Sequence, residues 1–171
     1  ISACLVGSEM CIRDRSELFR CIVTVTGQHR EMLDQVNELF GIVPDHDLDI
    51  LQPGQSLSAI MTRTIDGLET LFAGSRPDAV VVQGDTTTST AAAIAAFYHG
   101  IPVVHVEAGL RSGDLLSPFP EEANRKITSQ IARLHLAPTS TSRENLEREG
   151  ISPADIVVTG NERLYGDHAV Q

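Results

Sequence analysis

Three acidic residues stand where a carboxylate can move a proton. Asp85 follows Val80-Val81-Val82-Gln83-Gly84, Glu107 follows Val103-Val104-His105-Val106, and Glu121 opens Glu121-Glu122-Ala123-Asn124-Arg125. Two apolar, strand-like runs thus end in an acid, and a third acid begins a helical run. In a parallel sheet the carboxyl ends of the strands share an edge, and α/β proteins take their ligands there. Three carboxylates far apart in sequence can therefore line one cleft and act as general acids and bases on a polar substrate. Around them, the hydroxyls of Thr86, Thr87 and Thr88 and the free N–H groups of a helix start suit a phosphate or sugar oxygen. Arg111 can hold a carboxylate or a phosphate, and His29 follows another strand and can line the same edge.

Each of these residues also has a plain structural account. Asp85 can simply cap the following helix, worth about 0.5–2 kcal/mol. Glu107 can pair with Arg111 across the turn. Glu121 and Glu122 are favoured in a first helical turn by the helix dipole, by about 0.3–1 kcal/mol. Arg125 lies four residues after Glu121, the spacing of a helical ion pair. His105 alternates with apolar residues and reads as buried structure. Asp45-His46-Asp47 reads as a solvated loop, and no two histidines share a helix face at metal-ligand spacing, so no metal site is expected.

Elements must bring these residues together. Cys21 to Thr26 is short and β-branched, a strand bounded by Gly27. Glu31 to Phe40 has helical spacing, and 41–54, with Pro44 and Pro53, reads as a loop. Ser56 is an N-cap for a long amphipathic helix through Leu57, Ile60, Met61, Thr64, Leu68 and Leu71, ended by Gly74 and Pro77. Ala79 to Val82 is apolar throughout, as in a strand covered on both faces. Then come an Ala-rich helix over 86–98, a strand over 101–106, a loop over 108–119, a helix over 121–133, a strand over 134–136, a helix over 139–149 and a strand over 155–159. This alternation argues for a parallel sheet with helices on both faces.

The bulk properties set limits. The chain has 171 residues, suited to one domain, and is 42% apolar and 21% charged, ordinary for a globular protein. Its net charge is -10, from 13 basic and 23 acidic groups, which argues against a nucleic-acid partner. Cys4, Cys11 and Cys21 have no zinc-finger spacing and fit a reduced, cytoplasmic protein. No apolar run is long enough to span a membrane. Residues 1–15 (ISACLVGSEMCIRDR) resemble translated sequencing-adapter DNA and have no helical or strand periodicity, so they are read as non-native and set aside from the fold.

Several motifs in one order resemble the non-hydrolysing UDP-N-acetylglucosamine 2-epimerase family. They are Thr26-Gly27-Gln28-His29-Arg30-Glu31, Gln52-Pro53-Gly54-Gln55, Gly84-Asp85-Thr86-Thr87-Thr88, His105-Val106-Glu107-Ala108-Gly109-Leu110-Arg111 and Ser117-Pro118-Phe119-Pro120-Glu121-Glu122-Ala123-Asn124-Arg125. The likeness runs over 16–161, with 162–171 as an unmatched tail. The resemblance implies the Rossmann-like N-terminal half of a two-domain GT-B enzyme, lacking its first strand and first loop. It implies interconversion of UDP-N-acetylglucosamine and UDP-N-acetylmannosamine, without cofactor or metal, by a homodimer when full length. Asp85, Glu107 and Glu121 fall on the family's catalytic acidic positions; Thr86, Arg111, Arg125 and His29 are candidate substrate contacts. A hydrolysing epimerase, a GT-B glycosyltransferase fragment and a non-catalytic nucleotide-sugar-binding domain are the alternatives. The fragment alone is expected to be inactive.

Overall fold

The structure is a computed structural model and describes residues 2–3, 18–27, 35, 37–39, 41–50 and 52–160. The apolar runs of the sequence form a five-stranded, all-parallel sheet. Its strands are β1 (Ser2–Ala3), β4 (Val80–Gln83), β5 (Val103–Val106), β6 (Leu134–Ala137) and β7 (Ile156–Val158), in that spatial order. Ser2 and Ala3, inside the segment set aside above, pair with Val81 and Val82. β2 (Thr24–Val25) and β3 (His46–Asp47) form a separate parallel ladder.

That second ladder differs from expectation, which had Cys21 to Thr26 in the main sheet and residues 41–54 as loop. The cause is local. The backbone N–H of Val23 donates to the Asp45 carboxylate at 2.8 Å, and the N–H of Asp45 returns a bond to the Val23 carbonyl at 2.8 Å. Val23, Val25 and Ile42 close a small apolar cluster beside it. His46 and Asp47 are nonetheless exposed, as a solvated segment should be. Of the helix expected over 31–40, residues 35 and 37–39 are helical, and the remainder lies outside the described residues.

The helices follow the sequence closely. They are α1 (Leu57–Gly74), α2 (Thr87–Tyr98), α3 (Glu121–Ile131) and α4 (Ser140–Arg148). Ser56, Thr86 and Thr139 cap α1, α2 and α4, each side chain accepting from the N–H three residues on. Such caps contribute about 1 kcal/mol apiece. α2 is sheathed on nearly every side, and its run of alanines lets α1 and α3 approach it closely. The main core joins Leu68 and Phe72 of α1, Val80 and Val82 of β4, the α2 alanines and Val103 of β5. Thr90 and Thr128 share a buried hydroxyl contact of 3.2 Å that ties α2 to α3. The result is an α/β, Rossmann-like sheet. The carboxyl ends of β4 and β5 and the amino ends of α2 and α3 meet at one rim.

Candidate functional site

At the end of β4 the chain leaves the ladder. The N–H of Gly84 still bonds the Val106 carbonyl at 3.1 Å, but Gly84 adopts φ 69°, a conformation that glycine takes without strain. Asp85 follows on the rim. It is not the helix cap: Thr86 is, with its Oγ1 accepting from the Ser89 N–H at 3.1 Å. Asp85 is thereby left for another partner, and its carboxylate meets the Arg125 guanidinium at 2.5 Å. The Asp85 carbonyl accepts from Asn124 Nδ2 at 2.9 Å.

Glu107 closes β5 with φ 64°, a left-handed conformation unusual for a residue with a long side chain. Such outliers cluster at functional sites because the surrounding structure must hold them. Its carboxylate lies 3.5 Å from the Gln83 amide nitrogen. The expected partner, Arg111, is elsewhere. Its guanidinium lies between α3 and α4, bonded to both Glu149 oxygens at 2.9 and 2.7 Å and to Ser129 Oγ at 3.0 Å. The Glu107–Arg111 pair is therefore replaced by an Arg111–Glu149 pair, which Lys126 joins at 2.7 Å. That network holds the Glu149 carboxyl down at about 2: the Arg111 hydrogen bonds dominate, burial opposes them, and Lys126 adds to them.

The expected Glu121–Arg125 pair does not form either. Arg125 bonds Glu122 at 3.1 Å while it meets Asp85. Glu122 is fully buried and accepts from the N–H groups of Ser112 and Gly113 at 3.1 and 3.3 Å. Burial alone would raise its carboxyl; the Ser112 N–H, Arg125 and the Gly113 N–H together outweigh that and hold it below the ordinary value. Glu121, one residue away, stays half-buried, and among the described residues its carboxylate has no hydrogen-bond or ion-pair partner.

Next to these acids is a hollow of about 320 Å³, lined by Leu57, Ser58, Met61, Thr62, Thr87, Pro120 and Asn124. It lies where the first turns of α1, α2 and α3 converge, so its walls carry the positive ends of three helix dipoles. Its size is within the range of small-molecule sites. The structure thus joins Asp85 to Arg125 of α3, with Glu107 ending the neighbouring strand and Glu121 in the first turn of α3; none of the three acids lines the hollow, which adjoins them through Pro120, next to Glu121, and Asn124, bonded to the Asp85 carbonyl. The Thr86 hydroxyl is engaged within its own turn, with the Thr88 and Ser89 hydroxyls at 2.9 and 2.5 Å. His29 lies outside the described residues. No group of three or more metal-ligating side chains occurs among the described residues.

Sequence reasoning overlooked Asn124 and the role of Glu122. A signal existed for the first: Pro120 and Asn124 are four apart on a helix start and so share a face. None existed for Glu122, whose partners come from a loop with no regular periodicity.

A sequence model described as "UDP-N-acetylglucosamine 2-epimerase" matches residues 12–165. The chain belongs to this family. It is 56% identical over 147 residues to the UDP-N-acetylglucosamine 2-epimerase of Escherichia coli K12, which covers 86% of this chain and 39% of that protein. The Neisseria meningitidis UDP-GlcNAc 2-epimerase, solved with UDP-GlcNAc, superposes with a TM-score of 0.84 at 48% identity, over 90% of this chain and 42% of that one. The Methanocaldococcus jannaschii UDP-GlcNAc 2-epimerase, solved with UDP-GlcNAc and UDP, gives 0.81 at 34% identity, over 91% and 43%. The chain thus spans about 40% of the length of the curated 2-epimerases it matches. No helix among the described residues is long and apolar enough to cross a membrane.

Proposed function

We propose that this chain supplies the amino-terminal wall of the active site of a non-hydrolysing UDP-N-acetylglucosamine 2-epimerase. Family membership supports the reaction class, and the placement of Asp85, Glu107 and Glu121 supports the chemistry. The observation that carries most weight is that adjacent parallel strands, β4 and β5, each end at an acid, with Glu121 opening α3 beside them.

The reaction is an elimination followed by a re-addition. A carboxylate removes the proton on C2 of the sugar. The C1–O bond to UDP breaks with its electron pair going to the diphosphate oxygen, and a C1=C2 double bond forms as 2-acetamidoglucal. A second acid protonates C2 on the opposite face while the diphosphate oxygen re-forms the bond to C1. The net result is inversion at C2, with no redox change and no demand for a cofactor or metal. Proton transfer on two faces requires more than one acid–base group, which is what three carboxylates provide. Glu121 is the most available of them, Asp85 is steadied by Arg125, and Glu107 is held out by its backbone. Thr86, Arg111, Arg125 and His29 are proposed to serve the substrate: Arg125 from the rim beside Asp85, Thr86 and Arg111 by fixing the turns that present Asp85 and Glu107, and His29 as a further substrate contact. The full-length protein is proposed to be a cytoplasmic homodimer, and the 171-residue chain alone to turn over negligibly.

The test uses a full-length, two-domain member that carries these acids. Changing the residues corresponding to Asp85, Glu107 and Glu121 to Asn, Gln and Gln should each lower kcat by about 10²–10⁴-fold with KM little altered. Solvent deuterium should enter C2 with the native enzyme and fail to enter with the variants. Native-like exchange in all three variants would remove the acid–base assignment. Free N-acetylmannosamine in place of its UDP conjugate would mark a hydrolysing enzyme.

A further inference from the structure

His105 is fully buried in the middle of β5, between Val104 and Val106 and in register with Val82 and His135 on the two flanking strands. Its Nε2 lies 2.9 Å from the Gly84 carbonyl oxygen. A carbonyl can only accept, so this nitrogen carries the proton and donates. The other ring nitrogen, Nδ1, is buried with no hydrogen-bond partner among the described residues. An aliphatic residue would fill the same space without burying an unpaired acceptor. What imidazole adds there is the donor to Gly84.

The location of that carbonyl gives the bond its meaning. Gly84 has left the ladder with φ 69°, and Glu107, opposite the point of departure, is left-handed as well, so regular pairing ends there. The Gly84 carbonyl is caught by His105 Nε2, the next carbonyl, of Asp85, by Asn124 Nδ2 at 2.9 Å, and the Asp85 carboxylate by Arg125. Thr86 then begins α2. The turn that presents Asp85 is thus gripped from β5 beneath it and from α3 beside it.

We propose that His105 is a positioning residue, whose Nε2–H clamps the Gly84 carbonyl and so fixes the backbone turn that aims the Asp85 carboxylate. Its importance for catalysis rests on the reading of Asp85 given above; the clamp itself is tested without any activity, so the two can fail separately. Long-range proton–nitrogen NMR of the ¹⁵N-labelled 171-residue chain should show His105 as a single tautomer protonated at Nε2, unchanged from pH 8 to pH 5. Protonation at Nδ1, or a fast mixture of tautomers, would overturn the clamp. Two substitutions add a second readout. His105→Gln retains an amide donor at similar reach, and His105→Met fills the space without one. In the Met variant, amide exchange at Gly84, whose N–H holds the Val106 carbonyl at 3.1 Å, should rise about tenfold while Val103 and Ala137 keep their protection, and Gln should restore most of the loss. Equal exchange in all three proteins would overturn the proposal, as would a Gln variant no better than Met. If the Met variant does not fold, the tautomer of the native ring decides.

Discussion

Glu121 and Glu122 are neighbours of identical chemistry in the first turn of α3, yet the fold treats them in opposite ways. Glu122 belongs to a scaffold region, together with Glu149, Arg111, Arg125 and Lys126, that fastens the loop over 108–119 to α3 and α4. Glu121 belongs to a rim region with Asp85 and Glu107, beside the hollow between the helix starts. In the scaffold, every carboxylate has at least two donors. On the rim, Asp85 meets a single cation, Glu107 a single distant amide and Glu121 no described partner. A carboxylate already saturated with donors makes a poor base, because those bonds favour its ionised form. The count of donors, more than the residue type, separates acids that hold the protein together from acids available for chemistry.

The sharpest way to break the scaffold is at Gly109, where the loop touches α4. Gly109 has φ 87°, and a Cβ added there would lie 2.2 Å from the Ser142 carbonyl oxygen. Backbone cannot yield as a side chain can, so Gly109→Ala should destabilise the chain by on the order of 4 kcal/mol or more. Urea unfolding followed by circular dichroism measures it. Next comes the direct comparison within α3. Glu122→Gln turns an acceptor into a donor facing two N–H groups and a guanidinium, and should lose about 3 kcal/mol. Glu121→Gln should change stability by no more than about 0.5 kcal/mol. Equal losses from the two substitutions would mean that the division into scaffold and rim is false.

Local signals carried most of the fold. The runs at Val80–Val82 and Val103–Val106, the Ser56 cap, and the order of strands and helices were all legible, because each depends on a few consecutive residues. So was the burial of His105, from its alternation with valines. Three pairings were not: Asp85 as a cap, Glu107 with Arg111, and Glu121 with Arg125. In each case a residue nearby in sequence lost to one distant in sequence, or to an equally good neighbour. Arg111 went to Glu149, 38 positions on, and Arg125 reached back 40 positions to Asp85 while choosing Glu122 over Glu121. Ion-pair choice is a tertiary property: the energies of competing partners differ little until burial ranks them. The small ladder of β2 with β3 escaped for the same reason, since Asp45 looks like a loop residue until its carboxylate is seen on the Val23 N–H.

Acid titration separates the groups still further, and with the finest resolution. Burial lowers the His105 ring to about 4, while an unfolded histidine titrates near 6.5. Between those values the unfolded chain binds the extra proton, so stability rises with pH across that window. The contribution is complete above about pH 6.5 and is lost as pH falls through about 4. Glu149 acts in a lower window. Arg111 holds its carboxyl at about 2 against 4.5 when unfolded, so its contribution is full above pH 4.5 and is lost as pH falls towards 2. Glu122, also lowered, adds to the same acid limb. Urea midpoints measured from pH 8 to pH 3 should therefore fall in two stages. His105→Gln should flatten the upper stage alone. Glu149→Gln should leave the upper stage intact and reduce the lower one to the part that Glu122 supplies. A lower stage untouched by Glu149→Gln would show that the Arg111 network does not stabilise the fold and that the scaffold rests on Glu122 and Gly109 alone.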